Sequence, residues 1–416
     1  MQQRTAADSL ELDSKRMMSP SRKPRSIAIV ADDLTGACDA AVPFAANGLT
    51  AYIGLHWDDP PPAGWQAYAI NTDTRCSTGA EAAQRTGQAF ALAGQLQPER
   101  IIKKIDSLLR GNVAAEIAAA RTAIDSRLTL LAPAFPALGR RVRGGKVWVD
   151  GVNEAIDIAS RLEGMRCAAI PADAMEDFAS HFARAVDQAI DQGIEALIPD
   201  TVDENQMQRL AEAAAAVEGL LWVGSGGLTK AIAGNWGRRA DGERLPEIET
   251  IHGLVKPLLF CSGSDHPVTQ AQLNSLKQRA DVVFAEAGAD GCAAVNAALR
   301  QGRNAVLKLG RAHLNTEAMS ALAEQIRLEL CGGLLLTGGD TAIQVLEALD
   351  VKSIRLMAEV LPGIPQGRIL GGAADGLPVV TKSGAFGTPD ALSRCIEILR
   401  SPRSAVTERF SEEAAR

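Results

Sequence analysis

Short apolar runs that end in polar or glycine-rich turns recur along the whole chain. Ile27–Val30 leads to Asp32 and Asp33, and a small-residue helix then stops at Asn47-Gly48. Ala51–Leu55 and Gln66–Ile70 are two further strands; the second empties into Asn71-Thr72-Asp73-Thr74-Arg75. Thr78 and Glu81 then fit a capping box that opens an alanine-rich helix. Ile101–Ile105 carries two lysines and ends among Asp106, Ser107 and Arg110, and Leu128–Pro133 is another buried strand. Val142–Val149 reads as a hairpin with Gly144-Gly145 at its tip, and residues 152–217 as alanine-rich helices around a strand, Ala196–Pro199. Leu220–Gly224 runs into a glycine-rich turn.

The pattern restarts after a polar stretch. Pro257–Cys261 precedes Ser262-Gly263-Ser264, with Pro267 at the first position of a helix. Asp281–Ala287 and Asn304–Gly310 are strands. Gly332–Thr337 ends at Gly338-Gly339-Asp340, Leu361–Gly367 reads as an irregular loop, and Leu377–Thr381 ends at Lys382-Ser383-Gly384. Strand, turn, helix in repetition predicts an α/β fold. Two domains are expected, each a largely parallel sheet flanked by helices, with the active-site cleft between them. The expected bounds are an N-terminal extension at 1–25, a first domain at 26–235, a linker at 236–256, a second domain at 257–400 and a tail at 401–416.

Composition narrows the function classes. Aromatic residues make up 4% of the 416, so the cores are built from Ala, Leu, Ile and Val. A net charge of -7 leaves no basic surplus for a nucleic acid. No run is apolar enough to span a membrane, and no segment has the pattern of a secretory signal. The seven scattered cysteines form no CxxC pair, which fits a reducing cytoplasm better than a disulfide framework. The alanine-rich helices offer surfaces for a homodimer.

The chemistry sits in the turns. Asp32 and Asp33 follow a strand, where carboxylates can bind hydroxyls, hold a metal or take a proton; helix capping is the plainer role. Arg75 lies in a strand-to-helix turn. Lys103, Lys104, Asp106, Ser107 and Arg110 suit an anionic, polyhydroxylated ligand. The second half is instead rich in glycine and hydroxyls, the means by which backbone amides wrap phosphates.

Eight ordered blocks then carry a resemblance: ADDLTGACDAA (31–41), NTDTR (71–75), KKIDSLLRGNV (103–113), APAFPALGR (132–140), CSGSDHPVT (261–269), LLLTGGDTA (334–342), LPGIPQG (361–367) and VVTKSGAFG (379–387). The chain resembles the four-carbon acid sugar kinase family over residues 26–400. The resemblance implies an acid-sugar domain followed by a nucleotide domain. It also implies ATP-dependent phosphorylation of the terminal hydroxyl of threonate, erythronate or 3-oxotetronate, with Mg²⁺ bridging the phosphates. Leu34 looks more like the threonate/erythronate branch. By matching position, the sugar acid falls near Asp32, Asp33, Arg75, Lys104, Asp106 and Ser107. ATP falls near Ser262, Ser264, Thr337, Gly338, Gly339, Asp340, Gly363 and Gly384. On this reading Arg75 and the lysines pair with the substrate carboxylate, Asp33 or Asp32 takes the hydroxyl proton, and Asp340 assists the metal. A kinase of another small polyol acid is the serious alternative; a hydroxy-acid dehydrogenase lacks its dinucleotide fingerprint here, and a sugar-acid sensor lacks a signalling module.

Overall fold

A computed structural model describes residues 25–56, 60–171, 178–237, 248–310, 313 and 315–402. The expected N-terminal extension before Arg25, the linker stretch 238–247 and the tail beyond residue 402 lie outside them. The first half runs β1 (Ile27–Ala31), α1 (Leu34–Ala46), β2 (Ala51–Gly54), β3 (Ala67–Asn71), α2 (Gly79–Gln95), β4 (Arg100–Lys104), α3 (Val113–Ala123), β5 (Leu128–Ala132), β6 (Arg140–Arg143), β7 (Lys146–Val149), β8 (Ile156–Asp157), β9 (Cys167–Ile170), α4 (Phe178–Asp191), β10 (Ala196–Pro199), α5 (Glu204–Ala215), β11 (Leu220–Gly224) and α6 (Gly226–Gly237). The second half runs β12 (Leu258–Ser262), α7 (Pro267–Leu276), β13 (Val282–Glu286), α8 (Ala289–Arg300), β14 (Asn304–Lys308), α9 (Thr316–Ala323), β15 (Gly333–Thr337), α10 (Gly339–Ala348), β16 (Ser353–Leu361), β17 (Ile364–Leu370), β18 (Pro378–Lys382) and α11 (Ala391–Arg400).

Each half is a largely parallel sheet under helices. β1, β3, β5, β11, β12, β15 and β18 are buried at every position, which is why they read as unbroken apolar runs. The two halves form one fifteen-stranded sheet, in the order β13-β14-β12-β15-β18-β17-β16-β2-β3-β1-β4-β11-β5-β10-β9. The junction is an antiparallel pairing of β16 with β2, from Ser353 opposite Gly54 to Leu356 opposite Ala51. β6, β7 and β8 form a separate small sheet. Among the described residues, no helix is long and apolar enough to cross a membrane.

Two expectations need correction. Leu361–Gly367 is not an irregular loop: Leu361 and Ile364 pair across Pro362-Gly363, and the segment turns β16 into β17. Gly363 takes the positive φ of 73° that a Pro-Gly turn requires. Pro365 is tolerated because it sits beside a register shift in that ladder. Residues 152–170 are not helical either. They form β8, a short turn of helix at Ala159–Arg161 and β9. The alanine content suggested helix, but pairing with β7 and β10 decides it.

Candidate active site

The turn after β1 is the centre of the site. Asp33 caps α1 and faces solvent space as well. Its Oδ1 accepts from the Gly36 amide (2.8 Å), and its Oδ2 accepts from Thr35 Oγ1 (2.6 Å) and Arg75 Nη1 (2.7 Å). A Cβ on Gly36 would lie 2.4 Å from Asp33 Oδ1 and 3.0 Å from Lys104 Nζ, so any side chain there would displace the capping carboxylate. Asp32 is buried behind this shell. It accepts from Arg75 Nε (2.7 Å) and Nη2 (2.9 Å) in a two-pronged pair. Burial alone would raise the Asp32 pKa, but Arg75, Lys103 and Lys104 hold it below the ordinary carboxylate value. Arg75 thus spends three donors on two aspartates, and its own pKa rises.

The turn after β4 supplies the second wall. Asp106 accepts from Arg110 Nε (2.8 Å) and Nη2 (2.7 Å) and from the amides of Leu108 and Arg110. These bonds outweigh burial and lower its pKa to about 2. Lys104 points into the site. Lys103 points the other way into the core, where it meets Glu116 Oε2 at 2.8 Å. Glu116 also accepts from Thr74 Oγ1 (2.5 Å), tying α3 to the Arg75 turn.

A cavity of about 100 Å³ is lined by Asp33, Arg75, Lys104, Asp106, Ser107 and Arg110. All are acid-binding candidates from the sequence. Asp32 does not line it. Among the lining residues not expected as site residues are Asp39, Phe135, Arg140 and Phe386. Asp39 lies one helical turn beyond Thr35, and that spacing from the acidic turn was the available signal. Burial raises its pKa to about 6, reinforced by Glu359 and Asp33 and opposed by Lys104 and Arg140.

A second, open cavity of about 380 Å³ adjoins the first and shares Asp33, Thr35, Arg75, Arg110, His266, Ser383 and Ala385 with it. Its other wall consists of three turns at strand ends: Gly263–His266, Gly338–Thr341 and Ser383–Ala385. Gly338 has φ 98° and opens α10, and Gly339 brings that helix end against the first half. A Cβ on Gly339 would lie 3.3 Å from Asp33 Oδ2. Gly384 lets the last turn touch the first, since a Cβ there would lie 2.6 Å from Ser264 Oγ. Ser264, Gly338, Gly339, Asp340 and Gly384 therefore line this cavity. Ser262 and Thr337 pair with each other beneath it as buried strand ends. Gly363 lies outside both cavities, packed on Phe386.

A cavity of cations and carboxylates thus opens onto glycine turns at a helix N-terminus, an arrangement suited to a small acid beside a phosphate chain. Residues 27–161 and 156–232 match the family model for a sugar-binding N-terminal domain, and 291–392 match that for a nucleotide-binding C-terminal domain. The D-threonate kinase of Bordetella bronchiseptica is 33% identical, over 91% of this chain and 98% of that protein. That of Cupriavidus necator is also 33% identical, over 88% and 95%. The chain belongs to the four-carbon acid sugar kinase family. It is a kinase, and its nucleotide-binding domain implies use of ATP. D-erythronate and 3-oxo-tetronate kinases are further relatives, at 26% identity. A solved protein from Salmonella typhimurium LT2 shares the fold, with a TM-score of 0.71, 21% identity and coverage of 89% of this chain and 98% of that one.

Proposed function

We propose that this kinase transfers the γ-phosphoryl group of ATP to the C4 hydroxyl of a four-carbon sugar acid, with D-threonate the first candidate and D-erythronate the second. The observation that carries the reading is the wall of Asp33, Thr35 and Arg75 shared by the two cavities. A hydroxyl held there is the nucleophile nearest the helix end that would hold the phosphates. The identity of the relatives supports threonate over 3-oxotetronate, which remains the alternative acid.

In this proposal residues 26–235 hold the acid and residues 257–400 the nucleotide. Asp33 orients the C4 hydroxyl and accepts its proton late in an in-line transfer that depends chiefly on positioning and charge. Asp32 fixes Arg75, and Arg75 fixes Asp33. The amides at the start of α10, with Ser264 and Gly384, cradle the phosphates. Ser262 Oγ, buried without a hydrogen-bond partner beneath these turns, gives the cradle a spare polar group.

Mg²⁺ would arrive with the nucleotide. Asp340 and Asp33 face the phosphate cavity, but among the described residues no group of three or more His, Cys, Asp or Glu is placed to hold an ion alone. That fits a cation carried by phosphates and water with one or two carboxylates. It would neutralise the charge of the phosphates. Cytoplasmic residence and a homodimer complete the proposal.

The test is ATP consumption with Mg²⁺ against D-threonate, L-threonate, D-erythronate, L-erythronate and 3-oxotetronate. Turnover of one acid well above the rest names the substrate. ATP binding with turnover of none would move the substrate outside this class. Binding of acid and nucleotide with no transfer to any acceptor would favour a sensor.

A further inference from the structure

Asp39, Lys104, Phe135, Arg140, Ser225 and Phe386 line the acid cavity but not the second one. Four cationic side chains line this cavity, and they differ in how many donors are already spent. Arg75 gives Nε, Nη1 and Nη2 to Asp32 and Asp33. Arg110 gives Nε and Nη2 to Asp106. Lys104 gives one proton to the Ile105 carbonyl at 3.1 Å. Arg140 gives Nη1 to the Leu138 carbonyl, while its Nε is buried with no hydrogen-bond partner. Among the described residues no carboxylate lies within ion-pair reach of Arg140. A guanidinium offers five donors in a planar fork and stays charged, so a half-buried one with unspent donors on a cavity wall is a receptor for an anion.

Position gives that anion an identity. Asp33 and Thr35 line both cavities, whereas Arg140 lines only the acid cavity. A four-carbon acid carries its carboxylate on C1 and its reacting hydroxyl on C4. With C4 at Asp33, on the wall both cavities share, C1 falls in the part of the acid cavity that the second does not share. There Lys104 and Arg140 face Asp39 and the edge of Asp106, but Asp106 is already paired with Arg110 through two hydrogen bonds. Asp39 lies against the start of α6, where a Cβ on Gly226 would come within 2.4 Å of its Oδ2. It is left to accept from the hydroxyl beside the carboxylate.

We propose that Arg140, not Arg75, anchors the carboxylate of the sugar acid, with Lys104 beside it. This rests on the four-carbon acid reading given above. The anchor spans the two halves of the fold, because the Arg140 guanidinium lies 5.8 Å from the ring centre of Phe386. Closing the second half over the first would press the ring on the guanidinium and exclude water from the carboxylate pair. Arg75 then has a different task, which is to hold Asp33.

The experiment compares the acid with its primary amide, which keeps every hydroxyl and removes the charge. Binding is measured by calorimetry without ATP, and turnover separately, for the wild type, Arg140→Gln, Arg140→Lys and Arg75→Lys. The wild type should bind D-threonate roughly 10- to 100-fold more tightly than the amide, the range of a charge-assisted pair. Arg140→Gln should lose that preference by binding the acid as weakly as the amide, with KM for ATP unchanged. Arg140→Lys should recover part of it, and Arg75→Lys should keep it while losing turnover. Thermal melting checks that each variant is folded. Full acid-over-amide preference in folded Arg140→Gln overturns the anchor and leaves the kinase reading standing if the wild type turns over. Acid binding that depends on Arg140 without any turnover keeps the anchor and overturns the reaction.

Discussion

Asp39→Asn should stabilise the free protein at neutral pH, and the size of the gain can be worked from its surroundings. The carboxyl is buried, and its pKa rises from 3.8 to about 6. Desolvation is the main cause. Glu359 on β16 and Asp33 at the start of α1 add to it, while Lys104 on β4 and Arg140 on β6 oppose it. The folded state therefore holds this proton more tightly than the unfolded chain does. Between pH 4 and 6 the native state binds more protons than the unfolded state, so stability falls as pH rises. A gap of roughly two pH units corresponds to about 3 kcal/mol lost by pH 7. An amide does not ionise and escapes that loss. The assay is urea denaturation of wild type and variant from pH 4.5 to 8, without ligands. The stability of the variant minus that of the wild type should climb by about 2 kcal/mol across this range, the first third of the loss already lying below pH 4.5. Asp73, Glu347 and Glu359 also have raised values, and Asp32 and Asp106 lowered ones. Those contributions largely cancel in the difference. A difference that stays flat with pH would refute the reasoning, whatever its offset. Lost acid binding in the same variant would mark Asp39 as a group kept for function at the expense of stability.

Three further outcomes follow from the same geometry. Asp33→Asn should lower kcat/KM by about 10²–10⁴-fold, and a loss below tenfold in steady-state assays would remove it as the base. Lys103→Met should destabilise the fold by about 3–5 kcal/mol in urea, because it strands the buried Glu116 carboxylate; if the variant instead melts like the wild type, the Lys103–Glu116 pair is not structural. Gly338→Ala puts a side chain at φ 98° with its Cβ 3.3 Å from Ser264 Cβ. It should cost roughly 1–2 kcal/mol and raise KM for ATP without changing KM for the acid; an unchanged KM for ATP would take the nucleotide away from this turn.

The parts legible in the sequence were those whose cause is local. A fully buried parallel strand is apolar at every position, so β1, β5 and β15 announced themselves, and the polar turns after them pointed to the site. β16 and β17 did not. Their pattern is broken by Pro362, Gly363, Pro365 and Gly367, and only pairing with β2 and β18 makes them strands. Lys103 and Lys104 are adjacent and chemically alike, yet the pleat sends one into the core and the other into the cavity. Asp32 and Asp33 part in the same way. Arg140 lay in a recognised block, but only the fold shows that its donors are unspent while those of Arg75 are taken.

The joined sheet also explains how the two halves present their turns to one another. Passing from β2 to β18 crosses three antiparallel junctions, so in a flat sheet the parallel strands of the second half would run opposite to those of the first. The carboxyl ends of β1 and β15 would then lie on opposite edges, and no common site could form. Six steps separate β15 from β1 in the strand order. At a twist of about 20–25° per step they accumulate roughly 120–150° of rotation. Two register shifts in the β16–β17 ladder add local twist. The rotation nearly cancels the reversal and turns both carboxyl ends toward the same side, which is why a Cβ on Gly339 would lie 3.3 Å from Asp33 Oδ2. On this argument the β16–β17 hairpin is the element that brings the glycine turns to the acidic one. A change that flattens it, away from every ligand-binding side chain, should weaken phosphoryl transfer more than the binding of either substrate alone.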